Sequence, residues 1–181
     1  MRIIAGTFRG RQIRPPRGLP VRPTTDRTKE ALFNMLMQRL DWEGLRVLDL
    51  FAGTGNISFE CYSRGAARVV AVDQDWRCVA AIKAGLQILG LPVQDVVQQD
   101  VRRYVAQATG PFDLVFMDPP YAMPGQPELI AAIREGSLLA PEGLLVVEHA
   151  SSVPLEALPG WTESRRYGDS TLSFFDPLPP A

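Results

Sequence analysis

The sequence predicts an α/β fold built on a mostly parallel seven-stranded sheet with helices on both faces and an antiparallel hairpin at its C-terminal edge. Three observations carry this expectation. Strand-like apolar runs alternate with helical stretches between residues 46 and 148, the repeated β-α pattern that places helices over a parallel sheet. The first of those runs leads into a turn containing Gly53-Thr54-Gly55, which opens a helical stretch. The last two strand candidates are separated only by Gly168 and Asp169, a spacing that makes a hairpin and cannot hold a crossover.

The elements follow in order. Residues 1–23 hold Gly6, Gly10 and Gly18 with Pro15, Pro16, Pro20 and Pro23, which interrupt any helix and leave short extended pieces. Segments 2–4 and 11–13 are expected to pair as a small hairpin, so that 1–23 forms a basic extension on a domain spanning 24–181. Thr25 or Asp26 can cap a helix through residue 40 that places Ala31, Leu32, Met35, Leu36 and Leu40 at helical spacing. Strands are then expected at 46–50, 68–72, 94–98, 113–117 and 144–148, with helices at 56–64, 75–89, 101–108 and 127–139 between them. In the second of these helices Val79, Ile82, Leu86 and Leu89, with Trp76 near the start, form a core stripe. The predicted hairpin pairs 162–167 with 171–175.

Bulk properties narrow the function classes. At 181 residues one domain buries enough apolar surface to fold without staples. With 46% hydrophobic and 22% charged residues, neither disorder nor a fibre is indicated. Apolar runs such as 114–117 are too short to span a bilayer, and Met1-Arg2-Ile3-Ile4 opens no signal sequence, so a soluble cytoplasmic protein is expected. Cys61 and Cys78 form no CxxC pair and share the chain with a single histidine, His149. That set holds no metal site, and both thiols are expected to be buried. His149 follows an apolar run and is expected to end a strand rather than serve as a base.

The net charge of −1 conceals an asymmetry. Residues 1–40 carry nine Lys or Arg against Asp26 and Glu30, net +7, and the remainder is net −8. A dense arginine set at one end of a neutral chain is either a solvated tail or a polyanion-binding surface, since binding follows local potential.

The chemistry concentrates at predicted strand ends. In Asp49-Leu50-Phe51-Ala52-Gly53-Thr54-Gly55 the glycines allow close backbone approach to a ligand and leave helix N-terminal N–H groups available. A dinucleotide fingerprint requires a third glycine three residues after Gly55, where Ser58 stands. Asp49, Asp73 and Asp100 instead fall at or just past the ends of the first three strands, and a doubly wound sheet brings such ends to one crevice. A carboxylate after the second strand suits vicinal ribose hydroxyls. Asp100 can reach an adenine amine and Asp49 a ligand ammonium group, while Asp75 and Asp100 also fit as helix caps. The fourth strand runs into Asp118-Pro119-Pro120-Tyr121. The prolines display carbonyls without N–H donors beside a carboxylate and a ring, which suits a planar base bearing an NH2 group.

The succession DLFAGTG, an acid after the next strand, and DPPY resembles the class I S-adenosylmethionine-dependent methyltransferases that act on exocyclic amines, whose fold is Rossmann-like. Residues 2–11 (RIIAGTFRGR) and 22–34 (RPTTDRTKEALFN) further resemble the bacterial methyltransferases that modify guanine N2 in 16S ribosomal RNA, the RsmD family. The resemblance implies that residues 49–55 with Asp73 and Asp100 bind S-adenosylmethionine and that Thr24 and Thr25 help to close that site. It also implies that Asp118, Pro119, Pro120 and Tyr121 hold the target base. The basic start, through Arg9, Arg11, Arg14, Arg17 and Arg27, would contact RNA phosphates. Asn56 and Ser58 stand where the pattern has small residues, and Phe8 where it more often has tryptophan.

Three rival functions are set against this one. A DNA adenine or protein glutamine methyltransferase would keep the cofactor. Asp118 in place of asparagine and the arginine-rich start favour a nucleic acid, and the single small domain disfavours a sequence-specific DNA enzyme. A non-catalytic RNA-binding module is opposed by the intact acidic and glycine set, and a nicotinamide oxidoreductase by Ser58. The expected partner is ribosomal RNA or the small-subunit particle, met by a monomer with no metal and no membrane.

Overall fold

In a computed structural model of the chain, residues 1–16, 18–19 and 26–177 are described, with the side chains of Asp26 and Arg27 left aside. Thr24, Thr25 and Arg17, and the side chain of Arg27, therefore lie outside the described residues. The elements run α1 (Asp26–Leu36), β1 (Arg46–Leu50), α2 (Asn56–Arg64), β2 (Arg68–Asp73), α3 (Trp76–Leu89), β3 (Val96–Gln98) and α4 (Val101–Gln107). They continue with β4 (Phe112–Met117), α5 (Gln126–Glu135), β5 (Leu139–Ala150), β6 (Trp161–Tyr167) and β7 (Ser170–Phe175).

The strands form one sheet in the order β3-β2-β1-β4-β5-β7-β6. All pairings from β3 to β5 are parallel, and β7 pairs antiparallel with both β5 and β6. The expected mostly parallel sheet with an antiparallel C-terminal hairpin is thus present. Strand order reverses between β1 and β4, so the loops leaving their C-terminal ends diverge and open a crevice there.

Successive strand residues are buried on alternate faces of the sheet, which divides the core in two. Val47, Val69, Ala71, Leu114, Phe116 and Val146 pack on the side covered by α1, α2 and α3. Leu48, Val70, Val72, Val115, Met117 and Val147 pack beneath α4 and α5. Ile3 and Ile13 join the first of these cores, which anchors the N-terminal extension to the face carrying α1–α3. The expected hairpin of segments 2–4 and 11–13 is reduced to a single bridge, Arg2 to Gln12, flanked by hydrogen bonds from Ile3 N to Arg11 O and Gly10 N to Ile3 O.

Several boundaries differ from expectation. α1 stops at Leu36, and residues 37–39 form turns; Leu40 still packs against the core, so the periodicity outlasts the helix. α5 ends at Glu135 and β5 starts at Leu139, because Leu139 already pairs with Phe112 across an irregular register. β3 is shorter than expected. Trp76 is 65% exposed and does not belong to the stripe formed by Val79, Ile82 and Leu86; it occupies the first helical position of α3, outside that face. No helix among the described residues is long and apolar enough to cross a membrane.

Two departures from the expected pattern acquire partners. Lys29, fully buried in α1, donates to Asn56 Oδ1 (2.8 Å) and to the carbonyl of Arg2 (2.6 Å) and pairs with Glu60 Oε1 (3.0 Å). Glu60 also accepts from Ile4 N (2.7 Å) and pairs with Arg64. Ser63 continues the seam by donating to Ala5 O and accepting from Phe8 N. Asn56 thus anchors a buried network joining extension, α1 and α2, and Ser58 serves the site itself. Phe8 is half-buried against the same core. Lys29 is therefore internal and adds nothing to the basic surface counted from the sequence.

Candidate active site

A cleft of about 1220 Å³ opens at the reversal of strand order, along the C-terminal edge of the parallel strands, lined by residues of α1, α2, α3 and α4. Strand alternation explains its acids. Asp49 in β1 and Asp73 in β2 have the parity of Val47 and Ala71, and Asp118, one residue beyond β4, has the parity of Phe116. Side chains two apart share a face, so these carboxylates emerge at adjoining strand ends on the same side.

The turn after β1 is shaped by left-handed backbone at Phe51 (φ 61°), Gly53 (φ 54°) and Gly55 (φ 82°). For Phe51 this is an unfavourable conformation held by its surroundings: Ala52 N donates to Val72 O at 3.0 Å and Gly55 N to Ala52 O at 2.8 Å. Phe51, Ala52, Gly53 and Thr54 line the cleft. Gly55 does not. It precedes α2 and is buried, and a Cβ there would meet Ile82 and Phe59 at 3.0–3.1 Å, so its role is to let the turn close against the core.

Gly53 N–H donates to Asp73 Oδ2 at 2.8 Å, and Asp75 N–H to Asp73 Oδ1 at 2.8 Å. A carboxylate thus occupies the loop donor that would otherwise face a phosphate, and the site is set for hydroxyl or amine donors. Asp49 is 1% exposed and accepts from Ser58 Oγ at 2.5 Å. Burial pushes its carboxyl up to about 7; the Ser58 hydroxyl opposes this and the nearby Asp73 adds to it. Burial likewise raises Asp73. Asp75 and Asp100 cap α3 and α4 by accepting from Arg77 N (2.8 Å) and Arg103 N (3.1 Å), and both still line the cleft.

Across the crevice, Asp118 N donates to Leu50 O (3.3 Å) and Met123 N to Pro120 O (2.8 Å), which fixes the DPPY turn beside the β1 loop. Asp118, Pro119, Pro120 and Tyr121 all line the same cleft as Asp49, Asp73 and Asp100. Arg9, Arg11 and Arg14 are exposed, and Pro15, Pro16 and Leu19 of the same segment reach the cleft wall. His149 lies on the opposite parity, buried, with Nε2 2.7 Å from Ser173 Oγ. Burial lowers its pKa, which suits a structural strand residue. Cys61 and Cys78 are both free and buried, although Cys78 touches the cleft.

Sequence reasoning missed Thr28, Glu148, Ser170 and Arg166 on the cleft wall. Glu148 could have been found from the alternation of β5, where it follows Leu144 and Val146 on the cleft side.

Fold and site together define a class I S-adenosylmethionine-dependent methyltransferase. The chain belongs to the family described as Conserved hypothetical protein 95, whose model matches residues 1–176. It is 35% identical to the ribosomal RNA small subunit methyltransferase D of Haemophilus influenzae over 166 residues, covering 90% of this chain and 85% of that protein. The structure of yhhF from Escherichia coli superposes with a TM-score of 0.86 at 31% identity, covering 98% of this chain and 97% of the other. At 22% identity, a Thermus thermophilus 16S rRNA N2 G1207 methyltransferase in complex with AdoMet and guanosine shares the fold, with a TM-score of 0.71 over 89% of this chain and 46% of that one.

The residues present fit S-adenosylmethionine. The ligand combines a sulfonium and an ammonium with ribose hydroxyls and an adenine amine, and the cleft offers carboxylates at Asp49, Asp73, Asp75 and Asp100. Carboxylates grouped in this way attract cations and accept from hydroxyls, and they disfavour a pyrophosphate beside them.

Proposed function

We infer that the protein transfers a methyl group from S-adenosylmethionine to the N2 amine of a guanine in small-subunit ribosomal RNA. One observation carries the reading: the Gly53 loop with its acids and the Asp118–Tyr121 turn line a single continuous cleft, so cofactor and planar base can meet face to face. The resemblance to a ribosomal RNA small subunit methyltransferase over nine-tenths of the chain selects the substrate class.

In this reading Asp73 holds the ribose hydroxyls, Asp100 the adenine amine and Asp49 the ammonium group, with Phe51 to Thr54 against the cofactor and Thr24 and Thr25 closing over it. S-adenosylmethionine supplies a methyl group already activated on a sulfonium, so placement of the nucleophile governs the rate. The exocyclic amine donates its hydrogens to Asp118 and to the Pro119 carbonyl, which favours the pyramidal nitrogen that can attack. Pro120 stiffens the turn and Tyr121 stacks on the base, a contact worth about 1–3 kcal/mol. Transfer would leave S-adenosylhomocysteine, and the amine proton would then pass to solvent or to a carboxylate. Arg9, Arg11 and Arg14, with Arg17 and Arg27, contact phosphates without reading sequence. The extension 1–23 thereby serves RNA binding and 24–181 catalysis, in a monomer that needs no metal.

The test is tritiated methyl transfer into ribosomal RNA, small-subunit particles, DNA and protein, with nucleoside analysis. N2-methylguanosine from the ribosomal substrates is expected. Label appearing as N6-methyladenine in DNA, or in protein, would overturn the substrate and keep the cofactor.

A further inference from the structure

We propose that Glu148 reads the N1–H edge of the target base and makes the cleft selective for guanine over other bases that carry an exocyclic amine; this rests on the guanine reading above. Glu148 is 7% exposed and lines the cleft. It shares the parity of Leu144 and Val146, so it emerges on the same face as Asp118. The β4–β5 ladder closes with Met117 opposite Val147, so Asp118 and Glu148 each follow one residue past that last pair, on strands that neighbour one another at about 4.8 Å spacing. Ser170 Oγ, from the neighbouring β7, donates to Glu148 Oε1 at 2.6 Å, which orients the carboxylate on the wall.

Both acids line the cleft, and a base edge bearing neighbouring N–H groups can donate to the two at once. Guanine has this edge: its N2 amine adjoins a protonated N1. Adenine and cytosine carry a lone pair on the ring nitrogen beside their amine, which a carboxylate at Glu148 repels. With Asp118 and Pro119 accepting from the amine, Glu148 is the next acceptor along the wall and meets that neighbouring ring position. The selection has the asymmetry expected of a site built to accept from an N–H, where an analogue lacking the hydrogen leaves a buried polar group unmatched.

The experiment replaces the methylated guanine with 2-aminopurine, which keeps the amine and loses the N1 hydrogen, in small-subunit RNA presented free and in reconstituted particles. The unaltered enzyme is expected to favour guanine by about 10²-fold or more in kcat/KM. Glu148→Gln should lower the guanine rate and raise the 2-aminopurine rate, because the amide removes the repulsion of the N1 lone pair and can donate to it, so that the preference falls by at least about tenfold, with S-adenosylhomocysteine affinity unaltered. Equal rates on the two bases with the unaltered enzyme overturn the inference whether or not the variant folds, and so does an equal loss on both in Glu148→Gln. Ser170→Ala, which releases the carboxylate, should give a smaller fall in preference. A product other than N2-methylguanosine from the unaltered enzyme removes the guanine reading itself, whereas N2-methylguanosine with an unchanged preference in Glu148→Gln removes only the role of Glu148.

Discussion

If Asp49 holds the cofactor's ammonium group as proposed, its buried carboxyl should tie cofactor affinity to pH in a range where an ordinary aspartate is silent. With its pKa at about 7 in the folded chain against an ordinary 3.8, the group is largely protonated at pH 6. An ammonium ligand requires the charged form. The apparent Kd then scales as 1 + 10^(7 − pH), so affinity is weakened about twofold at pH 7, about 11-fold at pH 6 and about 100-fold at pH 5, each unit being about 1.36 kcal/mol. Calorimetric titration of S-adenosylmethionine between pH 5 and 8.5 in buffers of different ionisation heat measures both the slope and the proton released on binding. Because a cofactor amine titrates too, Ser58→Ala separates the sources. Loss of the 2.5 Å hydroxyl bond, worth roughly 1.5–3 kcal/mol to a charged acceptor, moves the midpoint up by roughly one to two pH units. Asp49→Asn removes that transition. The sign for stability of the free protein is opposite: the folded pKa is raised, so the contribution of Asp49 is fully present below 3.8 and is lost as pH rises to about 7. Affinity that stays flat from pH 5 to 8.5, or a midpoint unmoved by Ser58→Ala, refutes the assignment of Asp49 to the ammonium group.

Other expectations follow from the same geometry. Asp118→Ala should nearly abolish turnover while S-adenosylhomocysteine affinity stays within about twofold, a split of about 10²-fold or more in favour of binding; matched losses place Asp118 in cofactor binding instead. Lys29→Met removes the cation that joins Arg2, Asn56 and Glu60 and should cost about 3–5 kcal/mol in urea unfolding. A loss below about 1 kcal/mol, within the range of ordinary surface changes, shows that Arg64 alone satisfies Glu60. RNA affinity should fall steeply with salt, and exchanging Arg9, Arg11 and Arg14 for glutamine should flatten the slope of log K against log salt by about 0.7–0.9 for each phosphate no longer neutralised, as read by filter binding. An unchanged slope places the phosphates elsewhere.

Much of the fold is legible along the chain because each signal is local. The alternation of apolar runs with helical stretches needs only neighbours in sequence, as does the Gly168-Asp169 turn that makes the last pair antiparallel. The acids at Asp49, Asp73 and Asp118 are legible for the same reason: each falls at or within one residue of a strand end, and parallel strands of this topology end at one rim. Element boundaries were less so. Leu139 joins β5 because Phe112 offers it a partner, and a partner 27 residues away leaves no trace in helical periodicity.

Tertiary structure decided what becomes of the charged and polar groups. Lys29 counts as surface charge in the sequence, yet it is buried because Arg2 of the N-terminal segment and Asn56 and Glu60 of α2 converge on it. Ser58 denies the dinucleotide fingerprint on its own, and only the packing of α2 against β1 makes it the donor that holds Asp49. Glu148 sits beside a histidine in an apolar run, and the register of β5 against β4, closing with Met117 opposite Val147, brings it to the cleft that Asp118 also lines. The amino-acid order by itself determined the fold class, the glycine turn and the acids at the strand ends, since periodicity and turn chemistry act over a few residues. Which of those groups face one cleft, which are buried in pairs and which carboxylate is held near neutral pH depended on contacts between distant segments, because desolvation and hydrogen bonding act through space.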